Sequence, residues 1–591
     1  MKKNYIYIIL AFILTTNGFA QTKSTKTSKA DKDYEKFAYV DAIKTYERLY
    51  AKGYKSKDMF QKLGNSYYFQ SNFESASKWY KELFDLSKDL ESEYYFRYAQ
   101  SLKSIKDYKK SDEIMALFFK ANTNDSRAKL AEKHKDYLEI IKSNSGRYNI
   151  ENAGINSAVS DYGSSFYDNK VVFATSRDTS GTGSKKHEWN GESFTDLYAA
   201  DMGDEGALFT PIKFGNLLNT KFHESTPVFT KDGKTVYFTR NNFLKNKGKD
   251  KEGTILLKIY KATLEGNQWS NIKELPFNSD EYSVAHPALS FDEKTLYFSS
   301  DMPGTIGQSD IFKVSIIGDD IYSTPINLGN EINTEGKETF PYISNLNELY
   351  FASDGHPGLG GLDMFVSNPE KDGSYKSVFN LGEPLNSSKD DFAFLINSGT
   401  KVGYISSNRD GGQGSDDIYK FKEIKKLETK CEQLLTGVAT DMTTGEVLSN
   451  ATVTLSDANF NVLKTYITGL DGKFDFGMVQ CGTKYNIKTE KPLHSTVETS
   501  TTTANVSGKT FVPVQINKSI NKIGPGKNLA DEDALDIKMI YFDLDKFNIR
   551  QDAEIELAKI LDVLEQYPTM EIDIRSHTDC RQTAKYNMAL S

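Results

Sequence analysis

The chain has 591 residues, more than one hydrophobic core can hold together, so several domains are expected. Apolar residues make up 38% and charged residues 26%, a composition that excludes a disordered polymer, and the 34 Tyr and 36 Phe favour β-structure. The formal net charge of -8, without a basic tract, argues against nucleic acid or an anionic lipid surface as the main partner.

The first twenty residues have the pattern of a secretion signal. Two lysines precede an apolar run from Tyr5 to Leu14, and small residues follow up to Ala20. We expect a signal peptide over residues 1–20, cleaved after Ala20, because the apolar run is shorter than the ~20 residues that a membrane anchor, the alternative, requires. Gln21 stands where a lipoprotein has Cys. In an exported chain, three cysteines allow one disulfide and one remaining thiol.

Apolar residues in residues 31–142 follow a helical period, and one window recurs after about 34 residues. Its large and small positions are Phe60, Leu63, Gly64, Tyr67, Ala76 and Tyr80, with equivalent residues at Ala42, Tyr46, Ser111 and Met115. This pattern resembles a short tetratricopeptide array of about three helix pairs, with a generic helical bundle as the alternative. The resemblance implies a concave docking face.

Residues 148–422 change to a period of two and contain five repeats. The inner strand of each repeat recurs at intervals of 53 to 64 residues, as Val172-Phe173-Ala174, Val236-Tyr237-Phe238, Leu296-Tyr297-Phe298, Leu349-Tyr350-Phe351 and Gly403-Tyr404-Ile405. Four strands follow an Asn-Thr or Asn-Ser pair, at Asn219, Asn278, Asn333 and Asn386, and Gly-rich loops lead to Asp310, Asp363 and Asp417. Strands separated by such turns at a long period are typical of propeller blades.

The repeat resembles the WD-like repeat of exported bacterial proteins, which implies a five-bladed β-propeller. Because a circular array must seal its two ends, we expect a strand near Tyr148 to Asn152 to complete the blade that ends at Phe421. Turn chemistry explains the Asp- and Gly-rich loops without a bound calcium ion.

Residues 431–516 alternate apolar residues between Thr-Gly and Asp-Gly turns, which predicts an antiparallel β-sandwich. The segment resembles the carboxypeptidase regulatory-like domain, a noncatalytic module. Cys431 precedes the first strand and Cys481 follows the third hairpin, so a disulfide between them would staple the start of the sandwich to its middle. Closing that loop would contribute roughly 4 kcal/mol in the chain-entropy model. Two buried thiols are the alternative.

Residues 517–534 lack periodicity and are interpreted as a linker. Beyond them, the pattern predicts a strand at Ile537 to Phe542, a helix and a second strand at Glu571 to Ser576, paired in parallel through a right-handed crossover. The predicted helix carries one apolar face, formed by Ala553, Leu557, Ile560, Leu561 and Leu564.

Two motifs flank this helix, Tyr541-Phe542-Asp543-Leu544-Asp545-Lys546 and Ser576-His577-Thr578-Asp579, and Tyr586-Asn587 follows. Together they resemble the OmpA-like peptidoglycan-binding domain, over residues 535–591. In that family an Asp and a later Arg clasp the diaminopimelate of the peptide stem, since a carboxylate binds the ligand ammonium and a guanidinium binds its carboxylate. The resemblance implies that Asp579 is the acidic partner and that Thr578, Asn587 and Asp545 line the same pocket.

The basic partner has no match before Ser591, so we expect an incomplete OmpA-like domain, either in a fragment of a longer protein or in a defective copy. A helix N-cap role for Asp579 is the alternative to ligand binding. Seven scattered His residues, and the absence of a GxSxG or phosphate-loop motif, predict no metal site, no cofactor and no catalytic residue.

The order of signal, helical array, propeller, sandwich and OmpA-like domain resembles the OmpA-family periplasmic proteins of Bacteroidota, PorE and its relatives in the type IX secretion and gliding apparatus. This resemblance implies a noncatalytic periplasmic scaffold, associated with the outer membrane, that binds peptidoglycan. Its propeller and helical repeats would dock an outer-membrane protein of the PorP/SprF type. A surface-exposed glycan-binding or adhesion protein is the main alternative, and a propeller hydrolase is a third.

Overall fold

The computed structural model describes residues 26–177, 186–244, 247–427, 432–492, 494–504, 508–517, 526, 528–529, 537–543, 546–575 and 583–590. The predicted signal peptide and most of the predicted linker lie outside these residues. The chain divides into two units, Met1–Leu427 and Glu428–Ser591.

The described part of the first unit begins with eight helices. They are α1 (Ser28–Glu35), α2 (Tyr39–Ala51), α3 (Lys57–Phe69), α4 (Phe73–Leu86), α5 (Ser92–Ser104), α6 (Tyr108–Ala121), α7 (Ser126–Lys133) and α8 (Tyr137–Ser143). Four of them have an N-cap residue whose side chain accepts a hydrogen bond from a backbone N–H of the first turn. These residues are Ser56, Asn72, Asp107 and Asp125. Such oxygens satisfy the free N–H groups of a helix start.

Neighbouring helices interlock at the predicted large and small positions. A Cβ on Gly64 would lie 2.6 Å from Cε1 of Tyr80, so only glycine lets the two helices approach this closely. Phe60, Leu63 and Ala76 are fully buried in the same core cluster. The prediction of a helical repeat array is therefore confirmed.

Five antiparallel sheets follow the array. The first contains β2 (Asp161–Tyr167), β3 (Lys170–Thr175), β4 (Asp196–Asp201) and β5 (Ile212–Lys213), and the second contains β6 (Glu224–Phe229), β7 (Thr235–Asn241), β8 (Leu257–Glu265) and β9 (Gln268–Glu274). The third contains β10 (Val284–Leu289), β11 (Thr295–Ser300), β12 (Asp310–Gly318), β13 (Ile321–Tyr322) and β14 (Ile326–Asn327). The fourth contains β15 (Glu338–Ile343), β16 (Leu349–Ser353), β17 (Asp363–Pro369) and β18 (Tyr375–Asn380). The fifth contains β19 (Asp391–Ile396), β20 (Val402–Ser407), β21 (Asp417–Glu423) and β1 (Tyr148–Asn152).

The first strands of successive sheets contact one another, and β19 contacts β2, so the sheets form a closed circle that we call the five-sheet ring. β1 pairs antiparallel with β21, with Ile150 opposite Phe421. The predicted closing strand is confirmed, and it ties together parts of the chain that are far apart in sequence.

The recurrent strands identified in the sequence are the second strands of the sheets, not the inner ones. The true inner strands are β2, β6, β10, β15 and β19, and each contains a bulge. One residue in each bulge has a left-handed backbone, at Gly163, Thr226, His286, Phe340 and Ala393. A bulge interrupts the alternation of inward and outward side chains, which is why the period-two pattern did not reveal these strands.

Asparagine side chains join each sheet to the chain segment that leads into the next sheet. In each case Oδ1 accepts from the backbone N–H of a residue near the start of a third strand, and Nδ2 donates to the carbonyl of that residue. The pairs are Asn219 with Leu197, Asn278 with Ile259, Asn333 with Ile311, Asn386 with Met364, and Asn156 with Ile418. We call these five side chains the Asn clamps. The Asn156 clamp joins the fifth sheet to the entry of the first and so reinforces closure.

The second unit contains two packed sheets in its described part. One has the order β25 (Lys473–Gln480), β22 (Glu432–Asp441), β28 (Gly508–Ile516), and the other has the order β24 (Val462–Ile467), β23 (Thr452–Ser456), β26 (Lys484–Glu490), β27 (Val497–Thr502). Leu435, Val453 and Phe474 belong to the core between the sheets. The expectation of a wholly antiparallel sandwich is wrong in one pairing, because β22 and β28 run parallel. The long connection between these strands permits that arrangement.

The C-terminal residues form helices but not the two predicted strands. α9 (Gln551–Gln566) covers the predicted helical face and α10 (Ala584–Leu590) follows. Residues 537–543 and 571–575 are not strands. Tyr541 and Ile574 are largely exposed, so the apolar cover that a parallel sheet needs on both faces is missing there.

Replacing Asn333 with Ala tests the clamps. Asn333 is fully buried, and the change removes the acceptor of the Ile311 N–H, whereas the Ile311 carbonyl still accepts from the Leu328 N–H at 3.1 Å. Since one unpaired buried N–H costs about 1–3 kcal/mol, the free energy of unfolding should fall by about that amount. Chemical denaturation measures this, with Asn345→Ala on an exposed turn as the control. A loss no larger than about 0.5 kcal/mol, as for an ordinary surface substitution, would contradict the assigned role.

Candidate functional site

The predicted peptidoglycan-binding side chains lie outside the part of the chain that the structure describes. Asp545, Thr578 and Asp579 lie outside the described residues, and Asn587 lies on α10 with its side chain outside them. Nearby, the Asp543 carboxylate accepts from Nη1 of Arg550 at 3.3 Å on an exposed surface. The predicted roles of the four residues therefore stay predictions.

The predicted disulfide is also untested, because Cys431 lies outside the described residues. Cys481 follows β25, and its carbonyl accepts from Oγ1 of Thr483 at 2.9 Å. Within the described ranges, no group of three or more His, Cys, Asp or Glu side chains could hold a metal ion. None of the helices described combines the length and apolar character that a membrane crossing requires.

The most developed surface in the first unit is the junction between the helical array and the five-sheet ring. On α5, Nε2 of Gln100 donates to the carbonyl of Asp354 at 2.6 Å, and Nζ of Lys103 donates to the carbonyl of Gly358 at 3.1 Å. Nε1 of Trp189 donates to the carbonyl of Phe69 at 3.1 Å. These contacts join residues far apart in sequence, which local patterns cannot reveal.

A Gly-rich loop between β16 and β17, residues 354–362, forms the ring side of this junction. The Asp363 carboxylate accepts from the N–H groups of Leu359 and Gly360 and so fixes the loop from within. Gly360 has φ 145°, and a Cβ there would lie 2.9 Å from the backbone nitrogen of Ser104. From the sequence we interpreted this Asp- and Gly-rich loop as a turn. The structure shows that the loop also contacts the helical array.

Lys103 is the most unusual charge at the junction. Its side chain is buried, and Nζ also lies 4.6 Å from the centre of the Tyr137 ring. Burial lowers the pKa of Lys103, while the carboxylates of Asp363 and Asp112 oppose this change. No sequence motif pointed to Lys103. A lysine among the apolar positions of a predicted helix could have indicated it, because lysine is rarely buried.

A buried carboxyl lies beneath the same loop. Glu338 Oε1 accepts from Oγ of Ser353 at 2.6 Å and from Oγ1 of Thr334 at 2.9 Å, and Oε2 accepts from the Thr334 N–H at 2.7 Å. Burial raises the pKa of Glu338 to about 8, and these hydrogen bonds only partly oppose it. Thr334 belongs to one of the Asn-Thr pairs, so the pair both clamps the preceding sheet and binds this carboxyl.

The centre of the ring is narrow. The left-handed residues of the inner strands line a cavity of about 100 Å³ there. The His286 ring stacks on Phe340 with centroids 3.8 Å apart, and its Nδ1 lies 3.1 Å from Oγ1 of Thr226. Burial lowers the pKa of His286 to about 3, so the imidazole is neutral. The cavity is therefore lined mainly by apolar and hydroxyl groups among the residues that the structure describes.

Comparisons with known proteins show a short sequence similarity. No family model matches the chain. Over 51 residues, 9% of this chain, it is 47% identical to the peptidoglycan-associated lipoproteins of Brucella melitensis biotype 1 and Brucella suis biovar 1. The match spans 30% of the length of these relatives.

The similar solved structures include two with low TM-scores. TolB from Acinetobacter baumannii is 14% identical with a TM-score of 0.24, covering 44% of this chain and 54% of that one. An α-L-arabinofuranosidase from Lactobacillus brevis is 12% identical with a TM-score of 0.32, covering 46% of this chain and 92% of that one. Scores this low support no argument about what this chain does.

The prediction that the protein is not an enzyme is wrong, because enzymes are among the similar structures. The similar structures include a puromycin-hydrolyzing peptidase of Mycobacterium tuberculosis, which is 13% identical with a TM-score of 0.24 and covers 43% of this chain and 35% of that one. Prolyl endopeptidases are also among them. These scores assign no activity to this chain, but the exclusion of catalysis is withdrawn.

Glu338→Gln provides a pH test of the buried carboxyl. Between the ordinary pKa of 4.5 and the folded value of about 8, the folded state holds a proton that the unfolded state releases. The free energy of unfolding of the wild type should therefore fall as pH rises through this window, whereas the Gln side chain does not titrate. We expect the stability of wild type minus that of Glu338→Gln to decrease by a few kcal/mol between pH 5 and pH 9.

Denaturation of both proteins at several pH values measures this difference, with Glu370→Gln, an exposed change, as the control. A difference that stays constant with pH would show that the Glu338 carboxyl is already ionised in the folded protein at pH 5.

Proposed function

We propose that this protein is a periplasmic scaffold of the cell envelope that binds peptidoglycan through its C-terminal region. The observation that carries the proposal is the 47% identity over 51 residues to peptidoglycan-associated lipoproteins, whose name states the ligand. The His-Thr-Asp motif at Thr578 and Asp579 supports it, since this motif resembles the OmpA-like domain. The secretion signal pattern of residues 1–20 fits the same compartment.

The proposed site acts by charge pairing. The Asp579 carboxylate would bind the ammonium group of diaminopimelate, and Thr578, Asn587 and Asp545 would supply polar contacts around it. A carboxylate and an ammonium that lose water together form a strong, directional pair.

The first unit would be the docking platform. In this proposal the helical array is a tetratricopeptide array, and the five-sheet ring is a five-bladed β-propeller that docks an outer-membrane protein of the PorP/SprF type in type IX secretion or gliding. The closed ring and its junction with the array support this role, because a docking surface must keep its shape when a partner binds.

Sedimentation with purified peptidoglycan tests the central part of this proposal. The protein should sediment with diaminopimelate-containing peptidoglycan. Asp579→Ala should weaken binding about thirtyfold or more, because truncating one partner of a desolvated charge pair costs at least about 2 kcal/mol. Asp573→Ala is the matched control, since Asp573 is an exposed carboxylate outside the motif that pairs with Arg575.

Equal sedimentation of wild type, Asp579→Ala and Asp573→Ala would overturn the assignment of Asp579.

Peptide mapping without reduction tests the cysteine assignment of the exported protein. We expect one linked peptide pair that joins Cys431 to Cys481, and Cys580 alkylated as a free thiol. The physical basis is the position of the first two cysteines at the start and middle of one sandwich. Cys580 found in the linked pair would refute it.

A further inference from the structure

A cleft lies where the last helices of the array meet the ring, and none of the roles above uses it. Its volume is about 330 Å³, at the lower end of the ~300–1,000 Å³ range of ligand pockets. Helices α5, α6 and α7 form its walls, and residues 354–357 of the ring close one end. We call it the array cleft.

One wall of the array cleft is apolar and adaptable. It is formed by Phe96, Met115, Ala116, Phe119 and Ala131. Met115 and Phe119 are only half-buried, and Ala116 is exposed at the rim. Aromatic rings and a flexible thioether accept apolar side chains of different shapes. This wall suits one apolar side chain from outside.

Polar groups with spare hydrogen-bonding capacity lie beside the apolar wall. An ammonium has three donors, and for Nζ of Lys103 the described structure gives one acceptor, the Gly358 carbonyl. Within the part of the chain that the structure describes, Asp112 accepts one long hydrogen bond, from the Tyr137 hydroxyl at 3.4 Å. Gln100 donates its amide N–H to the ring, which leaves its carbonyl as an acceptor. The cleft therefore offers both a donor and acceptors.

The remaining charges are largely paired. Arg127 is held by Asp125 at 2.9 Å and Glu93 at 2.8 Å, and Lys135 is held by Glu132 at 2.6 Å. A third lining carboxylate, Asp354, accepts from the Lys337 N–H at 2.7 Å. The lining thus has three cations, Lys103, Arg127 and Lys135, and three carboxylates, Asp112, Glu132 and Asp354, so the cleft has no excess of either sign for a phosphate or a multivalent cation. A neutral group that both accepts and donates, such as a backbone amide, complements Lys103 and Asp112.

We propose that the array cleft binds a short peptide segment of a partner protein. One apolar side chain of the segment packs against Phe96, Met115 and Phe119. A flanking backbone carbonyl accepts from Nζ of Lys103, and a backbone N–H donates to Asp112. The volume accommodates one or two residues, so the cleft is an anchor point within a larger contact.

This inference rests on the proposed function in one respect: the cleft would be the place where the first unit docks its partner protein. Peptidoglycan sedimentation gives a separate readout, because the cleft lies in the first unit and the proposed wall-binding residues lie in the second. A variant that fails to bind the peptide probe should still sediment as the wild type does.

N-acetyl-leucine methylamide is the probe, since it carries one apolar side chain between two amides. With ¹³C-methyl methionine labelling of the whole protein, the Met115 methyl resonance, assigned by Met115→Leu, should shift in a saturable way at millimolar probe. Ala116→Phe, which fills the cleft from its exposed rim, should weaken the response at least tenfold. Leu117→Phe, on an exposed neighbour outside the lining, should leave it unchanged.

Lys103→Met should weaken probe binding severalfold, and its thermal melting shows whether the variant folds. If Lys103→Met does not fold, Ala116→Phe still tests the proposal. Hexanoate, an apolar carboxylate, should bind more weakly than the probe. The proposal is overturned if the Met115 methyl does not respond, if Ala116→Phe responds like the wild type, or if hexanoate binds more tightly than the amide.

Discussion

The paired hydrogen bonds of the Asn clamps hold the first unit in its shape. Each clamp satisfies the backbone of a third strand near its start and ties it to the segment that enters the next sheet. In the pair between Asn156 and Ile418, the two hydrogen bonds are both 2.8 Å long and link the first and last sheets. Each sheet is formed mostly by strands that are close in sequence. The Asn156 clamp and the pairing of β1 with β21 close these sheets into a ring.

The junction with the array depends on that closure. The loop of residues 354–362 stands on a sheet whose entry is held by Asn333 and Thr334, and Glu338 lies buried beneath it. Gly360 then brings the loop against Ser104 at a distance that a side chain would prevent. Lys103 and Gln100 bind loop carbonyls that the internal hydrogen bonds leave free. The array cleft exists because helices and loop are held at this separation.

Local patterns predicted much of this architecture. Hydrophobic periodicity and the 34-residue window predicted the helices, and the repeats with their Asn and Asp turns predicted five sheets and the closing strand. The fifth clamp was missed, although Asn156-Ser157 resembles the other four pairs. Asn156 stands five residues before the first strand of its sheet, as Asn219, Asn333 and Asn386 do, and Asn278 stands six residues before its strand. The parallel pairing of β22 with β28 and the junction arise from contacts remote in sequence. At the C-terminal end, the hydrophobic pattern predicted strands that residues 537–543 and 571–575 do not form.

Hydrogen exchange of the clamped amides tests the closed ring most directly. The N–H groups of Leu197, Ile259, Ile311, Met364 and Ile418 each donate to a clamp, so in a ring that opens as one unit they share one opening free energy. Asn156→Ala should then lower the protection of all five amides, including those in sheets that Asn156 does not touch. Loss of protection confined to Ile418, with the other four unchanged, would contradict cooperative closure.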